Sequence, residues 1–146
     1  MDDNVLKLFL TVLGSIAVLT LGELIKKFAI APIQEQKRVI GAVAASLMFY
    51  ANVYSAPAGI DGATIDETSK ALRKHASELT STTLMIPFYF AWECLRFCPS
   101  MKNIRQAIKD LTFLSNNVHS PMGMENFRIG ARQRIEKALG IDWLSA

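Results

Sequence analysis

Two cysteines and two histidines are the residues whose types first suggest metal chemistry in this sequence. Cys94 and Cys98 are four residues apart and would share one face of a helix. With His75 and His119 they form a nominal two-cysteine, two-histidine set, which is typical of zinc sites. The short ligand spacing of such sites is absent, and cysteine is often simply buried in an apolar core. We therefore predict that the cysteines pack against apolar neighbours and that the chain binds no metal or cofactor.

His75 is also the candidate general base, because Glu78 follows three residues later and would lie on the same helix face. A base needs a nucleophile or a substrate beside it, and the sequence identifies neither. The chain has no glycine-rich phosphate loop, nucleophile elbow, paired acid motif or HExxH zinc motif. Asp61, Asp66 and Glu67 lack the spacing of a calcium loop. We expect no catalytic residues and no enzymatic activity.

The last predicted helix carries four cations that define a basic surface: Arg128, Arg132, Arg134 and Lys137. A basic helix is typical of nucleic-acid binding, of contact with anionic lipid, or of a simple solvated face. Aromatic residues that would stack on the bases of a single strand are missing, apart from Phe127. We predict no nucleic-acid partner. Lipid contact is the functional interpretation of these four residues, and a solvated face is its alternative.

Residues 84–92 are apolar or aromatic throughout, apart from Pro87. The stretch is too short to span a bilayer. Aromatic rings and a nearby arginine suit the headgroup layer of a membrane, so the pattern predicts an interfacial segment over residues 88–97. The alternative is an aromatic plug that closes one end of a helical bundle. The residues assigned to the membrane interface are Lys26, Lys27, Phe88, Tyr89, Trp92 and Arg96.

The element that would hold these residues at a membrane is an N-terminal apolar run. Residues 8–22 contain no charge, and the run extends to residues 5–25, or 21 residues. As a helix this measures about 31 Å, which matches a hydrocarbon core of roughly 30 Å. The acidic N-terminus, the lysines after the run and Pro32 after an A-x-A-like site argue against a cleaved signal peptide. We predict a transmembrane anchor over residues 1–31, with a buried soluble helix as the alternative.

Charges on either side of the run predict its orientation. Asp2 and Asp3 precede it, and a cluster of cations follows it: Lys26, Lys27, Lys37 and Arg38. The positive-inside rule then places the N-terminus outside the plasma (inner) membrane and the remainder in the cytoplasm.

Small residues within the run allow another helix to approach closely. Those assigned to helix association are Thr11, Gly14, Ser15 and Gly22. The three hydroxyls of the run, on Thr11, Ser15 and Thr20, are able to bond to their own backbone and so give little support for a polar pore.

The remaining chain shows four amphipathic segments, over residues 32–54, 64–86, 100–118 and 124–139. We predict an all-α protein in which one N-terminal transmembrane helix precedes an up-down four-helix bundle over residues 32–146, with a short aromatic interfacial helix. Thr64 with Glu67, Ser100 and Gly140 are the expected helix caps, and Pro32 is expected to begin a new helix. The predicted inner faces include Gln36, Leu47, Leu72, Leu79, Leu111, Phe127 and Ile135.

A second membrane span is the alternative for residues 39–60, which carry no charged side chain. Ser46, Asn52, the tyrosines and several alanines make this stretch less apolar than the first run. We therefore interpret it as the most buried helix of the bundle.

Two functions remain open at this point. The first is a membrane-anchored scaffold or accessory subunit that acts through protein-protein association at the inner face of the membrane. The second is an oligomeric membrane-active effector or small channel subunit. In both, membrane lipid and either further copies of the chain or another membrane protein are the expected partners.

Overall fold

The computed structural model describes residues 3–55, 60–119 and 124–141. Predictions for Asp2, residues 56–59, Ser120, Pro121 and Trp143 lie outside the described residues. Within those ranges the backbone is helical with short connections and contains no strand, so the all-α prediction is confirmed. The elements are α1 (Asp3–Ile25), a π-helical segment (Lys26–Ile30), α2 (Ala31–Phe49), α3 (Ala51–Ser55), α4 (Gly62–Leu84), α5 (Tyr89–Cys94), α6 (Met101–Asn117) and α7 (Glu125–Leu139).

The N-terminal helix is long and apolar enough to cross a membrane by length and composition. Helical backbone continues over Asn4–Phe49, or 46 residues, and none of the most apolar 18-residue window within it is buried. Among the described residues this is the one helix that meets both criteria. That window is therefore not packed against the rest of the described chain.

Pro32 lies in the first turn of α2, as predicted, but α2 follows α1 and the π-helical segment without a break in helical geometry. Proline lacks an N–H group, and its ring clashes with the carbonyl four residues before it in an α-helix. The π-helical segment widens the turn just before Pro32, and its geometry is marked by the Ala31 N–H donating to the Lys26 carbonyl oxygen. A π-turn is one of the few ways to keep a helix continuous at such a point.

Helices α2, α4, α6 and α7 share one hydrophobic core. In chain order, α2 packs on α4, α4 on α6, and α6 on α7, while α3 lies against α7. All four long helices contribute fully buried aliphatic side chains, among them Val43, Leu47, Leu72, Leu79, Ile104, Leu111, Leu114 and Ile135. The described part of residues 39–60 contributes Val43 and Leu47 to this core, but α4 and α6, rather than α2, each pack between two long helices.

Two helix boundaries differ from the predicted ones. The helix predicted over residues 32–54 is interrupted at Tyr50, whose backbone leaves helical geometry before α3 begins. Asp61, rather than Thr64, caps α4, because its carboxylate accepts the Thr64 N–H at 2.8 Å and the Thr64 hydroxyl at 2.8 Å. These bonds favour the charged form and lower the pKa of Asp61.

The other two predicted caps are present. The Ser100 hydroxyl accepts the Asn103 N–H at 3.1 Å at the start of α6. Gly140 has φ +70 at the end of α7, where the left-handed conformation suits glycine.

The inner face of α7 is rotated relative to the predicted one. Phe127 was assigned to the core but is 64% exposed, whereas the neighbouring Arg128 is fully buried. Ala131, Ile135 and Leu139 are buried as predicted. The arginine enters the core because a backbone carbonyl, that of Asn117, accepts its guanidinium N–H at 3.1 Å. A hydrophobicity pattern assigns arginine to the surface, so it could not have revealed this contact.

Candidate membrane interface

The first part of the candidate interface is α1, whose apolar side chains are exposed on every side. The exposed large residues of this helix and the following segment run from Val5 to Ile30. An all-round apolar surface is typical of a helix that faces lipid rather than water. The hydroxyls of Thr11, Ser15 and Thr20 each donate to the carbonyl four residues before, at 2.8 to 2.9 Å, so α1 presents no free hydroxyl donor there.

The residues assigned to helix association lie along this exposed helix. A Cβ added at Gly14 or Gly22 would meet no other atom within 4 Å, so packing inside this chain does not require either glycine. Thr11 and Ser15 are exposed as well. Association between copies through these four residues stays a prediction.

The second part is the aromatic turn, defined here as residues 84–97. Its large apolar side chains are mostly exposed, with Phe88 86% exposed. The others that face outward are Leu84, Met85, Phe90, Leu95 and Phe97. The surfaces of soluble proteins carry scattered apolar residues. A single chain segment with six exposed apolar side chains is instead typical of an interaction surface.

The aromatic turn lies against the end of the apolar helix. A groove of about 440 Å³ separates them, lined on one side by Leu24, Ile25, Phe28 and Ala29 and on the other by Pro87, Phe88 and Trp92. The lining is almost entirely apolar. Lys26 and Lys27, predicted at the membrane interface, are exposed in the π-helical segment, whose Phe28 and Ala29 line the groove. The structure therefore brings Lys26, Lys27, Phe88 and Trp92 into one neighbourhood.

Buried hydrogen bonds hold the aromatic turn in place. The Gln36 side-chain amide donates to Thr83 Oγ1 at 2.8 Å and to Tyr89 Oη at 3.3 Å. The Tyr89 hydroxyl donates in turn to the Pro99 carbonyl at 2.8 Å. Because α4 ends beside the first turns of α2, the chain has returned to the level at which α2 began. Sequence reasoning placed Gln36 on the inner face but gave no partner for it.

Tyr89 does not lie at the surface as predicted. It is buried, and burial raises the pKa of its phenol. The reason is its anchoring role, since its hydroxyl bridges Gln36 and Pro99 inside the protein. Trp92 is half-buried, with its indole N–H donating to the Pro87 carbonyl at 3.0 Å and its ring meeting Phe97 edge-on. Phe90, which lies within the segment predicted at the interface, is exposed.

Arg96 occupies a left-handed backbone conformation, with φ 60. The Phe97 N–H donates to the Trp92 carbonyl and the Arg96 N–H to the Glu93 carbonyl, both at 3.0 Å. This pair of bonds is the Schellman pattern that ends a helix, in which glycine usually takes the left-handed position. An arginine there costs about 1–2 kcal/mol of backbone strain. The side chain of Arg96 is exposed.

The four cations assigned to lipid contact on α7 are not equivalent. Arg128 is buried as described above, and Arg132 pairs with the buried Glu136 at 2.6 Å. Two guanidinium nitrogens of Arg134 donate hydrogen bonds to the buried carboxylate of Asp110, and these bonds raise the pKa of Arg134. Lys137 is exposed at the end of the helix. Lys137 is therefore the cation of this set best placed to meet an external anion.

A serine, a histidine and a glutamate meet between α2 and α4. Ser46 Oγ lies 2.8 Å from His75 Nε2, and Glu78 Oε2 lies 3.2 Å from His75 Nδ1. The order resembles that of a hydrolytic triad. All three residues are inside α-helices, whose backbone N–H groups are committed to carbonyls one turn back, so the local backbone offers no oxyanion hole. The contact acts as a polar link between two helices, and Ser46 was the partner that the sequence did not identify.

The cysteines lie in different environments. Cys94 is exposed and Cys98 is buried. Burial raises the pKa of the Cys98 thiol, and the nearby Lys37 opposes that shift. Helix α5 ends at Cys94, so the two sulfurs do not share a helix face as their spacing suggested. Among the described residues, no three histidine, cysteine or acidic side chains are grouped closely enough to hold a metal ion.

The site thus consists of an apolar helix, an aromatic turn packed beside its end, and exposed cations next to both. Comparison with protein families, with curated proteins and with solved structures gave no match for this chain.

Proposed function

We propose that the chain is a membrane-anchored helical scaffold or accessory subunit that works through protein-protein association. In this proposal α1 spans the plasma (inner) membrane with its N-terminus outside. Helices α2, α4, α6 and α7 form an up-down four-helix bundle at the cytoplasmic face, and α5 lies in the headgroup layer. The cations that follow α1 give this orientation under the positive-inside rule.

The observation that carries the proposal is the continuous helix over Asn4–Phe49. A flexible linker would let an anchored domain move freely over the membrane surface. A helix that continues from the apolar span into the packed core instead sets the height and direction of that core. Fixed placement is what a scaffold needs, and it requires no catalytic group.

The aromatic turn supports the same arrangement. Its groove with Leu24, Ile25 and Phe28 joins two apolar surfaces that water would hydrate poorly. Headgroups and acyl chains cover both when α1 spans the bilayer, and Lys26 and Lys27 then reach anionic phosphates. The turn becomes a second contact with the membrane and resists tilting of the bundle.

The opposite end of the bundle offers a surface that lipid does not reach. Phe49 ends α2 and is 80% exposed, and Phe127 in the first turn of α7 is exposed too. Both α2 and α7 have these ends away from the membrane. Exposed aromatic residues are enriched in protein interfaces, which favours a protein partner at this end.

The internally bonded hydroxyls of α1 favour the scaffold over a channel subunit. A pore-lining helix needs polar groups that face water or ions. Thr11, Ser15 and Thr20 already bond to their own backbone carbonyls. Oligomers formed through Thr11, Gly14, Ser15 and Gly22 would then strengthen a scaffold without opening a pore.

Site-specific photo-crosslinking in native membranes tests the scaffold proposal. A photoreactive phenylalanine analogue replaces Phe127 in one variant and Lys70, on the exposed side of α4, in a control. We expect discrete protein adducts from position 127, either with a second copy or with another protein, and none from position 70. Absence of adducts at position 127, or ion conduction by the purified chain in planar bilayers, would contradict the proposal.

Reporter fusions test the orientation separately. A reporter fused after Ala146 is expected to be active in the cytoplasm and silent outside it. Replacing Lys26 and Lys27 by Glu should produce a mixed population, because these lysines carry much of the charge asymmetry. An extracytoplasmic signal from the unmodified chain would reverse the proposed orientation.

A further inference from the structure

Two shallow hollows lie side by side at the end of the bundle that faces the membrane in the proposed arrangement. The first, of about 360 Å³, lies between α2, the segment after α5 and the end of α7. The second, of about 300 Å³, lies between α6 and α7. They share Asn103, Lys137 and Ala138, so together they form one trough.

The trough is lined by cations from four parts of the chain: Lys37, Arg96, Lys102, Arg134 and Lys137. No carboxylate lines it among the described residues. Arg134 is held by Asp110, whereas no described acidic side chain lies within 4 Å of the charged groups of Lys37, Arg96 or Lys137. Neighbouring cations without acidic partners repel one another, and an anion bound in the trough would offset that repulsion.

The backbone at Arg96 is a second, independent observation. Two Schellman turns border the first hollow, one at Gly140 and one at Arg96. Glycine occupies the left-handed position of the first turn at no steric cost, with φ 70. The second turn holds an arginine in the same conformation although glycine would relieve the strain. Non-glycine residues in sparsely populated conformations of this kind cluster at functional sites.

We infer that Lys37, Arg96 and Lys137 form a recognition site for the phosphate group of an anionic phospholipid. Guanidinium and ammonium groups are the usual hydrogen-bond donors to phosphate in proteins. Arginine binds phosphate through paired N–H groups, and lysine binds it as a point charge. Asn103, at the border of the two hollows, adds a neutral side-chain donor.

The position of the trough selects a lipid over a soluble phosphate. Lys37 lies nine residues beyond Phe28, about 13 Å along the helix axis. Side chains on a helix lean toward its N-terminus, so Lys37 reaches back toward the bilayer. The headgroup layer extends about 5–8 Å above the hydrocarbon and closes most of the remaining gap. The inference rests on the proposed membrane placement of this end.

Native mass spectrometry of the full-length chain in detergent tests the site. Phosphatidylglycerol or phosphatidylcholine is added at equal concentrations, and the lipids retained per chain are counted. The test variant is Arg96→Gln with Lys137→Gln. The matched control, Lys70→Gln with Arg105→Gln, removes the same charges from exposed positions that do not line the trough.

The unmodified chain and the control are expected to retain one phosphatidylglycerol in preference to phosphatidylcholine. The test variant should bind phosphatidylglycerol about tenfold more weakly, because two solvent-exposed ion pairs of modest strength are lost. Arg96→Gly separates binding from folding: it should keep or raise the melting temperature while weakening phosphatidylglycerol binding. Equal binding by test variant and control, or loss of both binding and folding in Arg96→Gly, would overturn the inference.

A competition arm distinguishes the two sources of phosphate. Glycerol phosphate at millimolar concentration is expected to leave the bound lipid in place. Its displacement of the lipid would show that the site takes a soluble phosphate and would overturn the lipid assignment. Resistance of the chain to carbonate extraction from membranes is measured in parallel, since failure of that measurement would contradict the anchor itself rather than the phosphate site.

Discussion

Helices α1 and α4 have the same length, 23 residues each, and lie in opposite surroundings. The large apolar side chains of α1 are exposed on all sides, whereas α4 buries one stripe that includes Leu72, Ala76 and Leu79. Charged residues occur only near the ends of α1, whereas α4 carries six of them between Asp66 and Glu78. Length therefore does not determine where a helix resides. The distribution of charge around it does, and this difference separates the proposed anchor from a core helix.

Truncation of a leucine should have the largest effect in α4 and almost none on the packed core when made in α1. Leu72→Ala is expected to destabilise the core by about 2–5 kcal/mol, because the side chain is fully buried. Leu111→Ala on α6 should behave alike. Denaturant unfolding of the full-length chain in detergent measures the loss, with Leu13→Ala as the control. Equal losses at positions 72 and 13 would erase the distinction between the two helices.

Introduction of an arginine should reverse that order. Ile16→Arg in the middle of α1 is expected to cost about 2.5–3.5 kcal/mol of membrane insertion. Ser77→Arg, at an exposed position of α4, should change neither insertion nor stability by more than about 0.5 kcal/mol. The fraction of chain that resists carbonate extraction reports insertion. Full insertion of the Ile16→Arg variant would mean that α1 does not cross the hydrocarbon core.

Thiol labelling compares the exposed Cys94 with the buried Cys98 near the aromatic turn, and we expect a smaller difference here than in the two preceding experiments. Cys94 should react with a maleimide at once, since it is exposed, and Cys98 slowly. Because burial raises the pKa of Cys98, its thiolate fraction at neutral pH is reduced, and its labelling should accelerate only as the pH rises above the usual thiol range. Lys37→Gln should slow it further by removing a charge that favours the thiolate. Equal rates for both cysteines at pH 7 would show that the end of the bundle is open.

The sequence predicts those parts of the fold that depend on repeating apolar positions. Leu47, Leu72, Leu111 and Ile135 fall at helical spacing and are all buried. Local pattern also gave the caps at Ser100 and Gly140. It gave the wrong residue at the start of α4, where Asp61 and Thr64 are both good capping residues and only the backbone geometry decides between them.

The features that the sequence could not give depend on contacts between distant residues. Arg128 is buried because its guanidinium donates a hydrogen bond to the backbone carbonyl of Asn117. The Tyr89 side chain points into the protein because its hydroxyl accepts a hydrogen bond from the Gln36 amide and donates one to the Pro99 carbonyl. The trough brings Lys37, Arg96 and Lys137 together from three separate regions of the chain. Their spacing in the sequence does not predict that they are close.

Depth-dependent fluorescence quenching measures whether the aromatic turn rests on the bilayer. A single tryptophan is placed at Phe88, the most exposed residue of the turn, with Trp92 and Trp143 replaced by Phe. A second protein carries its single tryptophan at the exposed Thr112, near the opposite end of the bundle. Both full-length chains are reconstituted into vesicles whose lipids carry bromine at different depths.

If the aromatic turn rests on the bilayer, the tryptophan at position 88 is strongly quenched, most by bromine near the headgroups, and the tryptophan at position 112 is not quenched. Equal and negligible quenching at both positions would contradict that placement and would leave the turn as a cover for the end of the bundle, held away from the membrane.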